Sequence, residues 1–117
     1  MPRRRTPLSE ESAFTALTDR VLRAIGAALD ASGEDLDWSE NDGVLSIEWS
    51  AGGRMIVNRH LPNREIWIAA KSGGFHFHAD GAAWRDTRSG EELAVALQRL
   101  LEEQAGIAVR LPALPAS

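Results

Sequence analysis

A chain of 117 residues supports one domain, because such a length buries about two-thirds of its unfolded surface around a single core. Hydrophobic residues make up 44% and charged residues 26%, an ordinary balance for a soluble fold, and the lack of cysteine excludes disulfides, thiolate metal sites and a cysteine nucleophile. The net charge of −4 is uneven: residues 6–42 hold nine acids against Arg20 and Arg23, whereas residues 43–117 balance eight acids with eight bases, which favours a cationic partner and argues against nucleic acid.

The chain begins with the basic segment Met1-Pro2-Arg3-Arg4-Arg5. No apolar signal core follows it, and no apolar run approaches the roughly 20 residues needed to span a bilayer, so a cytoplasmic protein without membrane contact is expected. Residues 1–8 are expected to form a flexible basic N-terminus, 9–111 the domain and 112–117 a loose tail. The first helix is predicted to start at a Ser9 cap, with Glu10 and Glu11 in the first turn where the helix dipole favours them. Phe14, Leu17, Val21, Ala24, Ile25 and Ala28 form its apolar stripe. Asp19 and Asp30, eleven positions apart, share a face, and Ser32-Gly33 ends the helix.

From Leu36 the period becomes two. Leu36 and Trp38 point inward, Asn41-Asp42-Gly43 makes a hairpin turn, and Leu45, Ile47 and Trp49 form the next inward row. Ser50 to Gly53 turns the chain into a strand from Arg54 to Arg59, where either Ile56 or Val57 sets the register. After the Leu61-Pro62-Asn63 loop, Ile66, Ile68 and Ala70 face inward, with Glu65, Trp67, Ala69 and Lys71 on the other side. A Ser72-Gly73-Gly74 turn leads to a strand with Phe75 and Phe77 inward and His76 and His78 outward. Asp80-Gly81 turns into a short strand over Ala83–Asp86. Ser89-Gly90-Glu91-Glu92 reads as a capping box for a second helix carrying Leu93, Leu97, Leu100 and Leu101, which Gly106 stops. The alternation in Ile107 to Leu111 suits a segment packed along the helices.

Short turns imply antiparallel pairing, and two helices with one apolar side each must cover the same sheet face. The expected fold is α+β: a two-layer sandwich with N- and C-terminal helices on one face of an antiparallel sheet of about six strands. The other face is left bare, and Trp67 lies on it between Glu65 and Lys71. An outward tryptophan fits a partner anchor, or an indole half-covered by its own neighbours.

Solvated carboxylates are hard oxygen donors that hold Fe³⁺, Ca²⁺, Mg²⁺ or Mn²⁺ weakly and tolerate Fe²⁺; a set of helix caps and a hydrated face is the plain alternative. His76 and His78 have a spacing that chelates Zn²⁺, Cu²⁺ or Ni²⁺, yet no third ligand is evident and His60 lies on another strand. No nucleophile with a base stands out, and Ser72 lacks the strand–helix context of a nucleophile elbow. The glycine pairs lie in hairpin turns and not at phosphate-binding helix starts. A non-enzyme is expected.

An ordered series of stretches resembles the bacterial frataxins, the CyaY family. It comprises Asn41-Asp42-Gly43-Val44-Leu45-Ser46-Ile47, Ile56-Val57-Asn58-Arg59, Glu65-Ile66-Trp67-Ile68-Ala69, Gly73-Gly74-Phe75-His76-Phe77, Trp84, Arg88-Ser89-Gly90 and Glu103-Gln104-Ala105-Gly106. The resemblance runs from about Phe14 to Val109 and implies a frataxin-like fold and a role in iron–sulfur cluster assembly. It implies weak iron binding (Fe²⁺/Fe³⁺) on an acidic ridge here made of Glu10, Glu11, Asp19, Asp30, Glu34, Asp35 and Asp37. It also implies binding to the cysteine desulfurase complex and its iron–sulfur scaffold protein, through Trp67, Asn58, Lys71 and Glu65 on the sheet and Asp30 and Glu34 on the ridge. The alternatives are an iron metallochaperone delivering iron to the scaffold, and an interaction adaptor without an iron role. A monomer is expected, with metal-driven association possible through bridged ridges. One departure from the family stands out: Gly26-Ala27-Ala28-Leu29-Asp30-Ala31 carries a single acid where bacterial relatives usually pair them, which thins the ridge.

Overall fold

The computed structural model describes residues 7–117. Its elements are α1 (Pro7–Ala31), β1 (Leu36–Asn41), β2 (Val44–Trp49), β3 (Arg54–His60), β4 (Glu65–Ala70), β5 (Gly73–Ala79), β6 (Trp84–Asp86) and α2 (Leu93–Ala105). The helix already includes Pro7 and Leu8, so Ser9 lies within its first turn and is not the cap. Proline suits an initial helical position because the N–H it lacks has no intrahelical partner there. The basic residues 1–6 lie outside the described residues.

The six strands form one sheet in the order β1-β2-β3-β4-β5-β6, each antiparallel to its neighbour in sequence. The turns explain this. Asp42 and Gly43 both take positive φ, 49° and 80°, between the paired Asn41 and Val44; that mirror-image turn matches the strand twist. The β4–β5 turn is Lys71-Ser72 alone, because Ala70 pairs with Gly73; it falls earlier than the predicted Ser72-Gly73-Gly74, and Lys71 leaves the strand. Between β5 and β6 the Asp80 carboxylate accepts the backbone N–H groups of Ala82 and Ala83 at 3.0 and 2.9 Å. The Ala83 N–H above all, then that of Ala82, holds this carboxyl below its ordinary pKa.

Met55 and Val57 are buried, which settles the register of β3 and turns Ile56 and Asn58 outward. The core joins Val21, Leu22, Ile25 and Leu29 of α1 to Leu45, Ile47, Met55, Val57, Ile66, Ile68 and Phe77 of the sheet and to Leu93, Leu97, Leu100 and Leu101 of α2. Both helices therefore lie on one face, as the apolar stripes require.

Two expectations about the C-terminal third are corrected. Ser89 does not cap α2. The helix begins at Leu93 with Glu92 at its N-cap and no side-chain capping bond. The half-polar turn before it is organised by Asp86, whose Oδ1 accepts the N–H groups of Arg88 and Ser89 at 2.7 and 3.1 Å, while Glu91 is drawn to Arg99 at 2.9 Å. Residues 112–117 are not a loose end: Leu114 and Ala116 are buried, and the Pro115 carbonyl accepts the Trp84 indole N–H at 2.6 Å. Leu114 and Ala116, two apart along this tail, join the hydrophobic core.

Candidate functional site

Two surfaces remain open on this sandwich. The first is the outer sheet face. Register aligns Val44, Asn58, Trp67 and His76 across β2 to β5, and His60, Glu65, His78 and Arg85 across β3 to β6. Trp67 lies in the first row, beside Glu65 of the second. His60 stacks on one face of its indole, with centroids 3.7 Å apart and planes 8° apart, and His76 on the other at 4.2 Å and 10°. The indole N–H donates to Glu65 Oε1 at 2.8 Å. Trp67 is thus half-buried by its own neighbours, and the triple-ring stack holds it upright on the bare face. Asn58 sits directly opposite Trp67. Lys71 is apart from them, its backbone N–H donating to Gln104 Oε1 at 3.1 Å. The same glutamine donates to Ser72 Oγ at 3.0 Å, which anchors that hydroxyl to the end of α2.

His76 and His78, whose spacing suits a chelating pair, share the outer face of β5: His76 stacks on Trp67, and His78 lies opposite Glu65 and Arg85 in the register. The third histidine, His60, joins the stack because the loop Leu61–Arg64 sets it opposite Glu65 and diagonal to Trp67. The alternation of β3 and the length of that loop carry this signal in the sequence.

The second surface is acidic. At 1.5 Å per residue α1 is about 37 Å long, so Glu10 and Glu11 stand about 30 Å from Asp30. The predicted ridge separates into two ends with Asp19 between them. Asp19 is engaged: its Oδ1 accepts from Arg59, whose side chain is only 12% exposed, at 2.9 Å, and the same guanidinium also reaches Asp42 at 3.5 Å. Asp30 accepts the Trp38 indole N–H at 2.8 Å. The carboxylates of Glu34, Asp35 and Asp37 are exposed and have no partner among the described residues. Among those residues no three His, Asp or Glu side chains enclose a point where a metal ion would sit. What the acids offer is an open edge, which holds hard cations weakly and with little selectivity.

Gly26 leaves room on α1 for Trp38. The Trp38 ring lies across the helix there, and a Cβ on Gly26 would meet the indole at 2.6 Å. Helix propensity alone would make Gly26→Ala stabilising by about 1 kcal/mol. The packing reverses that sign, because the indole is displaced and its bond to Asp30 broken. The expected result is a melting temperature about 3–6 °C lower with altered tryptophan emission; a raised melting temperature would mean the indole is not seated there.

No helix among the described residues is long and apolar enough to cross a membrane. A family model described as a frataxin-like domain matches residues 7–107. The chain is 48% identical over 103 residues to the iron-sulfur cluster assembly protein CyaY of Dechloromonas aromatica (strain RCB), covering 87% of this chain and 98% of that one. It is 45% identical over 109 residues to the protein of the same name from Cupriavidus pinatubonensis (strain JMP 134 / LMG 1197), covering 90% and 97%. Among solved structures, the frataxin from Psychromonas ingrahamii superposes with a TM-score of 0.81 at 29% identity, covering 86% of this chain and 95% of that one. The trimeric frataxin of Saccharomyces cerevisiae, solved in complex with ferrous iron, reaches 0.61 at 23% identity, covering 88% of each, a likeness of fold. With the helix–sheet–helix sandwich, the upright outer-face tryptophan and the acidic edge in place, the chain belongs to the frataxin-like family.

Proposed function

We propose that the protein serves iron–sulfur cluster assembly as a non-catalytic, monomeric, cytoplasmic regulator of the cysteine desulfurase complex. The acidic edge, through Asp30, Glu34, Asp35 and Asp37, docks on a basic patch of the desulfurase. The outer face around Trp67, Asn58 and Glu65 contacts a second surface, that of the scaffold protein, with Lys71 at its margin. Iron, as Fe²⁺ or Fe³⁺, is held weakly by the ridge set Glu10, Glu11, Asp19, Asp30, Glu34, Asp35 and Asp37. The observation that carries the reading is the pair of uncovered surfaces on one rigid sandwich: partnerless carboxylates at the α1–β1 corner, and a sheet face that neither helix covers. The names of the relatives support the pathway. The same free carboxylates favour a second reading, in which the protein carries iron to the scaffold.

The test is binding of the purified protein to a bacterial cysteine desulfurase–scaffold complex at about 0.05 M and about 0.5 M salt, beside Trp67→Arg. Electrostatic docking weakens at least tenfold, roughly, across that range. Loss of a central aromatic anchor costs about 2 kcal/mol or more, roughly thirtyfold in affinity. Binding that ignores both salt and the substitution would sink the two-surface reading.

A further inference from the structure

The alternation that buries Met55 and Val57 on β3 also turns Arg59 toward α1. There it lines a cleft of about 560 Å³ between that helix and the β1–β2 turn, together with Asp19, Arg23, Glu40, Asp42 and Gly43. The Arg59 backbone N–H donates to the Gly43 carbonyl at 2.8 Å. Its guanidinium passes so close to Gly43 that a Cβ there would meet the Arg59 Cζ at 2.6 Å, and it ends on Asp19 at 2.9 Å and Asp42 at 3.5 Å. A guanidinium keeps its charge throughout the working pH range of a folded protein, so the middle of the acidic surface already holds a cation of its own. We propose that Arg59 sets the order in which the ridge takes up metal: the corner of Glu34, Asp35 and Asp37 fills first, and Asp19 fills last, in competition with the guanidinium; the inference rests on the cation-binding role proposed above.

The two regions differ in what an incoming cation must break. At the corner the carboxylates are exposed and without partners among the described residues, so an ion displaces only water. Asp30, at the end of α1, accepts from the neutral Trp38 N–H, which leaves its charge uncancelled. At Asp19 an ion must take the oxygen that Arg59 holds. The Arg59 side chain would then keep only Asp42, the longer contact, on a side chain that is 94% exposed. Stripping one partner from a largely covered ion pair costs more than the pair itself contributes. Open carboxylates offset little of that, because they bind hard cations weakly. An ion on the other Asp19 oxygen would face the guanidinium as a close like charge, and Arg23, exposed on the same cleft, adds a second one.

The experiment is a titration of the isotopically labelled whole chain with Mn²⁺ alone, followed by nuclear magnetic resonance, since a paramagnetic ion broadens the nearest backbone amides first. In the wild type the amides of residues 34–37 are expected to vanish at an Mn²⁺ concentration about tenfold or more below that needed for Asp19 and Asp42, a decade in affinity. In Arg59→Gln, which removes the charge and opens Asp19, Glu40 and Asp42 to the ion, the two sets are expected to vanish together. Arg59→Met, which keeps the apolar stem, takes its place if the glutamine variant does not fold. Arg59→Lys keeps the charge and is expected to keep the order. Simultaneous loss at both regions in the wild type, an unchanged order in the folded neutral variant, or loss of the order in Arg59→Lys overturns the inference and leaves the ridge a cation site. No selective loss anywhere up to millimolar Mn²⁺, with the protein folded by circular dichroism, removes the cation-binding role itself.

Discussion

Trp84→Ala is expected to lower the unfolding free energy by about 3–5 kcal/mol, seen as a fall in the urea midpoint at unchanged slope. Trp84 is 1% exposed and is among the largest fully buried side chains. It meets the Phe14 ring edge-on at 6.0 Å and donates its N–H to the Pro115 carbonyl. One indole thereby joins α1, β6 and the final residues. A domain of this size is stable by about 5–15 kcal/mol in total, so the loss removes a large share. Trp84→Phe keeps most of the ring but leaves the Pro115 carbonyl without its donor, and is expected to cost about 1–3 kcal/mol. Removing residues 112–117 from the Trp84→Ala protein should then cost less than removing them from the wild type, because both changes act on one junction. A Trp84→Ala penalty under about 1 kcal/mol would show that the tail is not seated on this ring.

Reversing three charges at the α1–β1 corner, with Asp30→Lys, Asp35→Lys and Asp37→Lys together, is expected to weaken binding to the desulfurase complex by about a hundredfold or more at low salt, since like charges opposed across an interface cost several kcal/mol. Asp30→Lys also cuts the bond to Trp38, so the Asp35→Lys/Asp37→Lys pair serves as the variant whose removed carboxylates have no partner to lose. The wild type should gain melting temperature with millimolar Mn²⁺ or Fe²⁺, because a cation held by the native ridge stabilises by mass action, about 2.7 kcal/mol at a hundred times its Kd. The triple variant should not gain. If cluster assembly in the variants falls in proportion to metal bound, iron carriage is the operative role; if it follows desulfurase affinity at constant metal, regulation is. No wild-type shift with metal would remove the ridge as a cation site.

How far the sequence reveals this molecule varies with how local the determining physics is. The β1–β2 hairpin is legible because Asp42 and Gly43 adopt positive φ themselves. The end of α2 is legible because Gly106 takes φ 65° as its cap. The register of β3 is not, since Met55-Ile56-Val57 is apolar on both alternations and the choice is made by pairing with β4. The Ser89–Glu92 pattern misleads because Asp86, outside the pattern, takes the local N–H groups first. The packing of the tail depends on Trp84, more than twenty residues upstream, and a short proline-containing stretch does not announce it. At the surfaces, the identity of the acids is plain from the sequence. The capture of Asp19 by Arg59 and of Asp30 by Trp38 requires the fold, as does the meeting of His60 with Trp67.

The strand order has a kinetic consequence. Each strand is hydrogen-bonded to its neighbour in sequence, so the ladder closes through short loops, and hairpins of this kind form in roughly microseconds. Contacts distant in sequence close the fold by other means, with Phe14 against Trp84 and the Arg20 guanidinium at the Ser117 carbonyl. Ordering α1 against residues so distant in sequence is expected to be the slow, high-contact-order step, seen as a refolding rate that falls when this junction is weakened. The sheet behaves as a zip and the helix–tail junction as its clasp. Contacts made after the transition state act mainly on the unfolding rate, so weakening the clasp is expected to speed unfolding more than it slows folding.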